Sequence, residues 1–200
     1  MSSDVRESVP WSVSREKPVR RIPGDPNMWI FILGDFLIFS VYLVIFMIDR
    51  QRDPGAFLEQ QRGVHLGVGV FDTVLLLTSS LLVARGVLAA RGERYRAAVA
   101  AVTGAGLCGL LFVVVKAGEW TSEIRSGATF PSGPFYMYYY MLTGIHLFHV
   151  VLGLLILGLV VRDLRDPRGR RLSMTETGAT YWHMVDLLWL LIFALVYVMR

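Results

Sequence analysis

The feature that most restricts the fold of this chain is a set of five long apolar blocks, at about residues 28–48, 64–84, 97–117, 135–161 and 179–199. A bilayer core of about 30 Å is crossed by about 20 residues of α-helix, so each block is long enough to cross once. The chain carries 20 Lys and Arg and 16 Asp and Glu, and only four of these lie inside the blocks: Asp35, Asp72, Lys116 and Asp186. The sequence therefore predicts an all-α, polytopic membrane bundle of five transmembrane helices.

Composition excludes several other classes of protein. The chain is 54% apolar and 18% charged, whereas soluble proteins average about 45–50% and about 25%. The blocks lack the alternation of apolar and polar residues that membrane β-strands require. Cys108 is the single cysteine, so no intrachain disulfide can form. A soluble enzyme, an outer-membrane barrel and a secreted disulfide scaffold are therefore excluded.

The predicted domain organisation is a tail followed by one membrane domain. Residues 1–27 combine four prolines with mixed charges, which predicts a disordered cytoplasmic tail. They do not resemble a cleaved signal peptide, so the first span is expected to be retained. Residues 28–200 are predicted to form a single five-helix transmembrane domain. The connecting loops are short and contain turn pairs such as Asp53-Pro54 and Asp166-Pro167.

The distribution of basic residues predicts the orientation of the bundle. The tail, the second loop and the fourth loop together hold fourteen Lys and Arg, and the segments on the other side hold six. Because loops rich in Lys and Arg remain cytoplasmic, we expect a cytoplasmic N-terminus and a C-terminus outside, on the periplasmic face. The net charge of +4 arises from residues that flank spans, so no nucleic-acid partner is expected.

Aromatic and small residues predict contacts with lipid and between helices. Interfacial anchoring is expected for aromatic residues near predicted span ends: Trp29, Trp120, Trp182, Tyr136, Tyr138, Tyr139 and Tyr140. Ala101, Ala105 and Gly109 recur at every fourth position of the third block, a spacing that favours close helix packing in membranes.

Acids and imidazoles within the blocks are the candidate functional residues. Insertion of an ionisable side chain into the membrane costs about 2.5–3.5 kcal/mol of free energy, so each is expected to face protein or water and not lipid. At 1.5 Å per residue from the inner span ends, Asp35 and Asp186 lie about 10 Å deep and His183 about 6 Å. Asp72 and His149 both lie about 18 Å deep. We therefore expect an inner layer of Asp35, His183 and Asp186, and a pair of Asp72 with His149 near the midplane.

The histidines are poor candidates for haem or metal ligands. His149 and His183 differ by about 12 Å in predicted depth, which disfavours a bis-histidine haem. His146 and His149 share a helical face, but copper or zinc requires further ligands at matching depth. The sequence predicts hydrogen-bonded or proton-network histidines, with no metal site and no catalytic residue in this chain.

Five motifs together resemble subunit III of the haem-copper oxidases: GDFLIF at 34–39, DT at 72–73 with LLLTSS at 75–80, KAGEW at 116–120, TGIHLFHV at 143–150 and YWHMVDLLW at 181–189. The resemblance covers about residues 24–200 and is most specific in the last two motifs. The stretch PGDPNMWIF at 23–31 and the Gly34-Asp35 pair are more similar to the nitric oxide reductase accessory branch, a short five-helix form.

The resemblance implies a non-redox accessory subunit that packs against catalytic subunit I, binds phospholipid and sustains proton uptake. It implies no cofactor in this chain, with haem and copper or iron in the partner, and a multi-pass location in the bacterial plasma membrane. By resemblance, a buried network and its motif neighbours occupy family positions: Asp35, Glu119, His146, His149, Trp182, His183, Asp186 and Trp189. Asp35 stands where the family has glutamate, and Asp72 where it has asparagine.

Three functions are compatible with the sequence. The chain is expected to be a subunit of an oxygen-reducing oxidase or the accessory protein of a nitric oxide reductase. The alternative from another class is an autonomous proton or ion carrier that uses Asp35 and Asp72.

Overall fold

The computed structural model describes residues 26–167 and 170–199, so the predicted disordered tail lies almost entirely outside the described residues. Within them the chain is helical and contains no strand. The six α-helices are α1 (Pro26–Arg52), α2 (Pro54–Gln61), α3 (Leu66–Arg91), α4 (Tyr95–Arg125), α5 (Pro134–Arg165) and α6 (Leu172–Phe193). A 3₁₀ turn over Phe130–Ser132 precedes α5, and a π-helical turn over Ala194–Val198 extends α6.

Five of these helices are long and apolar enough to cross a membrane, which confirms the predicted spans. The helices extend beyond the apolar blocks, and α4 runs to Arg125 whereas its block ends at residue 117. Hydropathy marks only the segment suited to hydrocarbon, while helical hydrogen bonding can continue into the polar interface. Polar residues beyond a block therefore still belong to the packed helix.

The short helix α2 was missing from the sequence prediction. The Asp53-Pro54 pair suggests a turn, but the Asp53 side chain accepts a hydrogen bond from the Ala56 amide at 3.1 Å and caps α2. Proline is well suited to the first helical position that follows. A capping aspartate followed by proline is a helix-start signal, so the sequence did contain the evidence for this helix.

The last four long helices form a ring in which α3 packs against α4 and α6, and α5 packs against α4 and α6. The first helix, α1, lies outside this ring against α5 and α6. The C-terminal ends of α1, α2 and the last helix meet on one side of the bundle. Gln61 donates hydrogen bonds to the carbonyls of Val196 at 2.8 Å and Met199 at 2.9 Å, and Arg50 also donates to Met199.

Small residues on α4 lie at close helix contacts. Ala105 is fully buried and its carbonyl accepts a hydrogen bond from Ser79 on α3 at 2.8 Å. A methyl group at Gly109 would lie 2.7 Å from the Trp182 ring of α6. Ala101 is partly exposed and faces Gly86 of α3. Close approach of these helices therefore depends on the absence of larger side chains on α4.

Several aromatic residues predicted as interfacial anchors are core residues instead. Trp182 and Tyr139 are fully buried, and Tyr138 is 5% exposed. The Trp182 indole donates a hydrogen bond to Ser79 at 3.0 Å. Trp182 is enclosed by α3, α4 and α5 and cannot contact lipid, so the anchoring prediction for it was wrong.

Gly109→Ala is expected to destabilise the bundle by about 1–3 kcal/mol, because the added methyl group overpacks the fixed indole of Trp182. Gly106→Ala on the same helix is the matched control, because nothing lies within 4 Å of its added methyl group. The control is expected to be neutral or to stabilise by about 0.5–1 kcal/mol. Thermal unfolding in mild detergent measures both, and equal midpoints would contradict the packing described.

Candidate functional site

The largest buried polar cluster is centred on Lys116 of α4. Its ammonium lies 2.9 Å from the Asp72 carboxylate of α3 and 2.5 Å from the Glu119 carboxylate. It also donates to the Tyr197 hydroxyl at 2.9 Å. The three charged side chains are 0–2% exposed. One cation therefore connects α3, α4 and the π-helical turn that ends the chain's last span.

The charges of this cluster do not balance. Asp72 and Glu119 supply two carboxylates for the single ammonium of Lys116, so the fully ionised cluster carries one net negative charge. The Tyr197 hydroxyl donates to Glu119 at 2.9 Å and stabilises that carboxylate. The ammonium also lies 4.5 Å from the ring centroid of Trp189, where the π-electrons attract it. The arrangement holds the Lys116 ammonium among two carboxylates, a hydroxyl and an aromatic ring.

A second cluster joins α1 to α5. The Nε2 atom of His149 lies 3.1 Å from the Asp35 carboxylate, and the two side chains are 10% and 13% exposed. The Nδ1 atom of the same ring lies 2.8 Å from the carbonyl of Ile145, which can only accept a hydrogen bond. Nδ1 therefore donates a hydrogen bond to this carbonyl. Asp35 and His149 thus form a pair that links α1 to α5.

A third cluster lies between α3 and α6. The Ser80 hydroxyl is 2.7 Å from Nδ1 of His183, and the same nitrogen is 4.0 Å from the Asp186 carboxylate. Both carboxylate oxygens of Asp186 are buried and have no hydrogen-bond partner in the described part of the chain. The His183 side chain is 41% exposed, so this cluster reaches the surface of the bundle.

The remaining motif residues pack in the interior. His146 is fully buried between the rings of Phe112 and Trp189, at centroid distances of 5.7 and 5.3 Å. Trp189 donates from its indole to the Thr73 hydroxyl at 3.0 Å. Neither ring nitrogen of His146 has a hydrogen-bond partner among the residues that the structure describes. His146 is therefore a packed core residue in this structure, and the prediction of a hydrogen-bonded network histidine was wrong for it.

Several buried acids and histidines have other partners in the structure than the sequence predicts. Asp72 does not form an ion pair with His149, because its carboxylate binds Lys116 and His149 binds Asp35. His183 and Asp186 are neighbours as expected, but Asp35 pairs with a different helix. Asp35 and His149 are in contact although their predicted depths differ by about 8 Å, so counting from the ends of the apolar blocks misplaced at least one of them. Depth along a helix axis also does not specify which face of the helix a residue occupies.

Lys116 and Tyr197 were missed as site residues. Lys116 is one of the four charged residues inside the blocks, but it lies one residue before the end of its block at residue 117, which indicates a span end, whereas α4 continues for nine residues after it. The available signal was Glu119, three residues later on the same helical face. Among the described residues, no group of three or more His, Cys, Asp and Glu side chains is arranged to hold a metal ion.

Comparison with known proteins matches residues 26–200 to the family model for cytochrome c oxidase subunit III. The haem-copper oxidase subunit I+III of Aeropyrum pernix is 29% identical over 178 residues, covering 85% of this chain and 22% of that protein. The quinol oxidase subunit 3 of Bacillus subtilis is 27% identical, covering 86% of this chain and 85% of the relative. The cytochrome c oxidase subunit 3 of Thermostichus vulcanus is 28% identical, with coverages of 93% and 90%. The chain thus spans about a fifth of the first relative and most of the other two.

Lys116→Met is expected to cost about 3–5 kcal/mol of stability, because two buried carboxylates lose their cation. Asp72→Asn is the matched control, since the amide preserves shape and leaves the Lys116–Glu119 pair balanced. Its expected cost is about 0.5–1.5 kcal/mol, as for one hydrogen bond. Unfolding followed by tryptophan fluorescence in detergent compares them, and an equal loss for both variants would contradict the charge count.

Proposed function

The chain belongs to the cytochrome c oxidase subunit III family, and from this premise we propose that it is a non-redox accessory subunit of a haem-copper oxidoreductase. In this role it stabilises the catalytic subunit in the membrane and supports its proton uptake. The chain is a multi-pass membrane protein of this family. We propose that it lies in the bacterial plasma membrane with its N-terminus in the cytoplasm and its C-terminus outside.

The observation that supports this role most directly is how the motif residues are used. His149 pairs with Asp35, Trp182 donates to Ser79, and Trp189 donates to Thr73. Each of these contacts joins two different helices of the bundle. Residues that hold helices together suit a subunit whose contribution is a stable shape, while electron transfer takes place at the haem and metal of its partner.

The proposed partner is catalytic subunit I. One relative carries both parts in its name, subunit I+III, and its length is several times that of the matched segment. Two parts joined in one chain remain close to each other, so in the present case a separate subunit I is the expected neighbour. Haem and copper, or haem and iron, belong to that neighbour in this proposal, and bound phospholipid is expected at the lipid-facing surface.

Paired carboxyl groups and imidazoles support the proposed link to proton uptake. The Asp35–His149 pair places an imidazole against a carboxyl group between two helices, and the Asp72–Lys116–Glu119 cluster has one carboxylate in excess of its cation. Carboxyl and imidazole groups buried between membrane helices are the residue types that relay protons in membrane proteins. A subunit with such groups can influence the supply of protons to an adjacent catalytic centre.

Purification of the tagged chain in mild detergent tests the proposal. We expect a haem-bearing partner to co-purify, with a Soret band that the isolated chain does not show. Copper in the partner would identify an oxygen-reducing oxidase, and non-haem iron would identify the nitric oxide reductase alternative.

Two outcomes of this experiment would contradict the accessory role. One is that no haem protein co-purifies from cells that contain the respiratory complex. The other is proton flux in liposomes that contain this chain alone, which would favour an autonomous carrier. Liposomes with Asp35→Asn provide the control, because flux through the bundle should fall when that acid is neutralised.

A further inference from the structure

The surface between α3 and α6 carries an ionisable side chain that the bundle does not cover. The His183 side chain is 41% exposed. Exposure is only 0–13% for the other ionisable side chains of the three clusters: Asp35, Asp72, Lys116, Glu119, His149 and Asp186. His183 is therefore the exception among them.

His183 lies inside the apolar block of its span, about 6 Å from the inner end of that block at residue 179. It follows the start of α6 at Leu172 by eleven residues, or about 16 Å, and the span extends to Val198. Its exposed neighbours are apolar, since Leu187 is 48% exposed and Leu191 is 40% exposed. Hydrocarbon offers no hydrogen bond at this depth, so an exposed imidazole there is costly unless another molecule covers it.

Only one of the two ring nitrogens of His183 has a hydrogen-bond partner. Its Nδ1 atom contacts the Ser80 hydroxyl at 2.7 Å, and its Nε2 atom has no partner within the described ranges. Behind the ring, Asp186 is 5% exposed and both of its oxygens lack a hydrogen-bond donor. The cluster of Ser80, His183 and Asp186 therefore has unused hydrogen-bonding capacity next to the surface.

We infer that the α3–α6 face formed by Leu77, Ser80, His183, Leu187 and Leu191 is the surface on which the catalytic subunit docks. This inference rests on the proposed accessory function and adds the contact face to it. A transmembrane helix of the partner brings a hydrogen-bonding group to Nε2 of His183, and its apolar side chains pack on the three leucines. Interhelical hydrogen bonds together with close packing are what associate helices in lipid.

A partner helix fits this face better than a lipid does. Acyl chains carry no hydrogen-bonding group at the depth of His183 inside the apolar block, whereas a helix can present a polar side chain there. The opposite face of the ring, between α4 and α5, forms a cavity of about 370 Å³ whose lining includes Leu107, Leu110 and Leu154. Acyl chains can cover those leucines without leaving a buried polar group unsatisfied, so that face suits lipid.

Site-specific photocrosslinking tests the face in the intact complex. A photoreactive benzoylphenylalanine replaces Leu187 in one variant and Leu107 in the matched control, where the native leucine is 62% exposed on α4. After illumination of native membranes, we expect the first variant to crosslink to the haem-bearing subunit and the second to crosslink at least tenfold less. Crosslinks from position 107 with none from position 187 would overturn the inference.

Crosslinking and co-purification together distinguish a wrong docking face from a wrong proposed function. If the haem-bearing subunit co-purifies but crosslinks only from position 107, the accessory role stands and the docking face is wrong. If no haem-bearing subunit co-purifies with any form of the chain, the proposed function fails and the inference fails with it.

Variants of His183 test the hydrogen bond itself. His183→Leu is expected to weaken recovery of the complex about three- to tenfold, the loss expected for one polar contact between membrane helices. His183→Gln keeps a donor and an acceptor and should restore most of the recovery. Helicity and thermal unfolding of the chain alone serve as controls. Equal recovery of the complex with the leucine variant and with the native chain would contradict the proposed hydrogen bond of His183.

Discussion

The ammonium group of Lys116 is the interaction on which the rest of the bundle depends. It is fully buried at a point where α3, α4 and the terminal π-helical turn converge, and it binds Asp72, Glu119 and Tyr197. A buried cation without these partners would be strongly unfavourable in a membrane protein. The position of each of these three segments is therefore linked to that of the other two.

The other polar contacts extend the same principle to the remaining helices. Asp35 and His149 connect the outlying α1 to α5, and Ser79 connects α3 to both α4 and α6. Hydrophobic burial cannot distinguish helix neighbours in lipid, because acyl chains are as apolar as the side chains. Specific polar pairs, together with glycine contacts such as that at Gly109, select which helix packs against which.

Much of this architecture could be predicted from the sequence. The five spans follow from hydropathy, and the buried acids and imidazoles follow from their isolation in apolar blocks. The partners of Asp72 and His149 could not be predicted, because pairing depends on the rotation of each helix as well as on depth. Lys116 was misjudged for a related reason, since a span limited by hydropathy ends before the helix does. The burial of Trp182 follows from its enclosure by α3, α4 and α5.

The central claim is that the buried ions act together to hold the helices to one another, and a double-mutant cycle on Lys116 and Asp72 tests it most directly. Unfolding free energies are measured for the native chain, Lys116→Met, Asp72→Asn and the double variant in the same detergent. The account predicts that the cost of Lys116→Met falls by more than about 1 kcal/mol when residue 72 is already neutral. Additive costs, within about 0.5 kcal/mol, would contradict it.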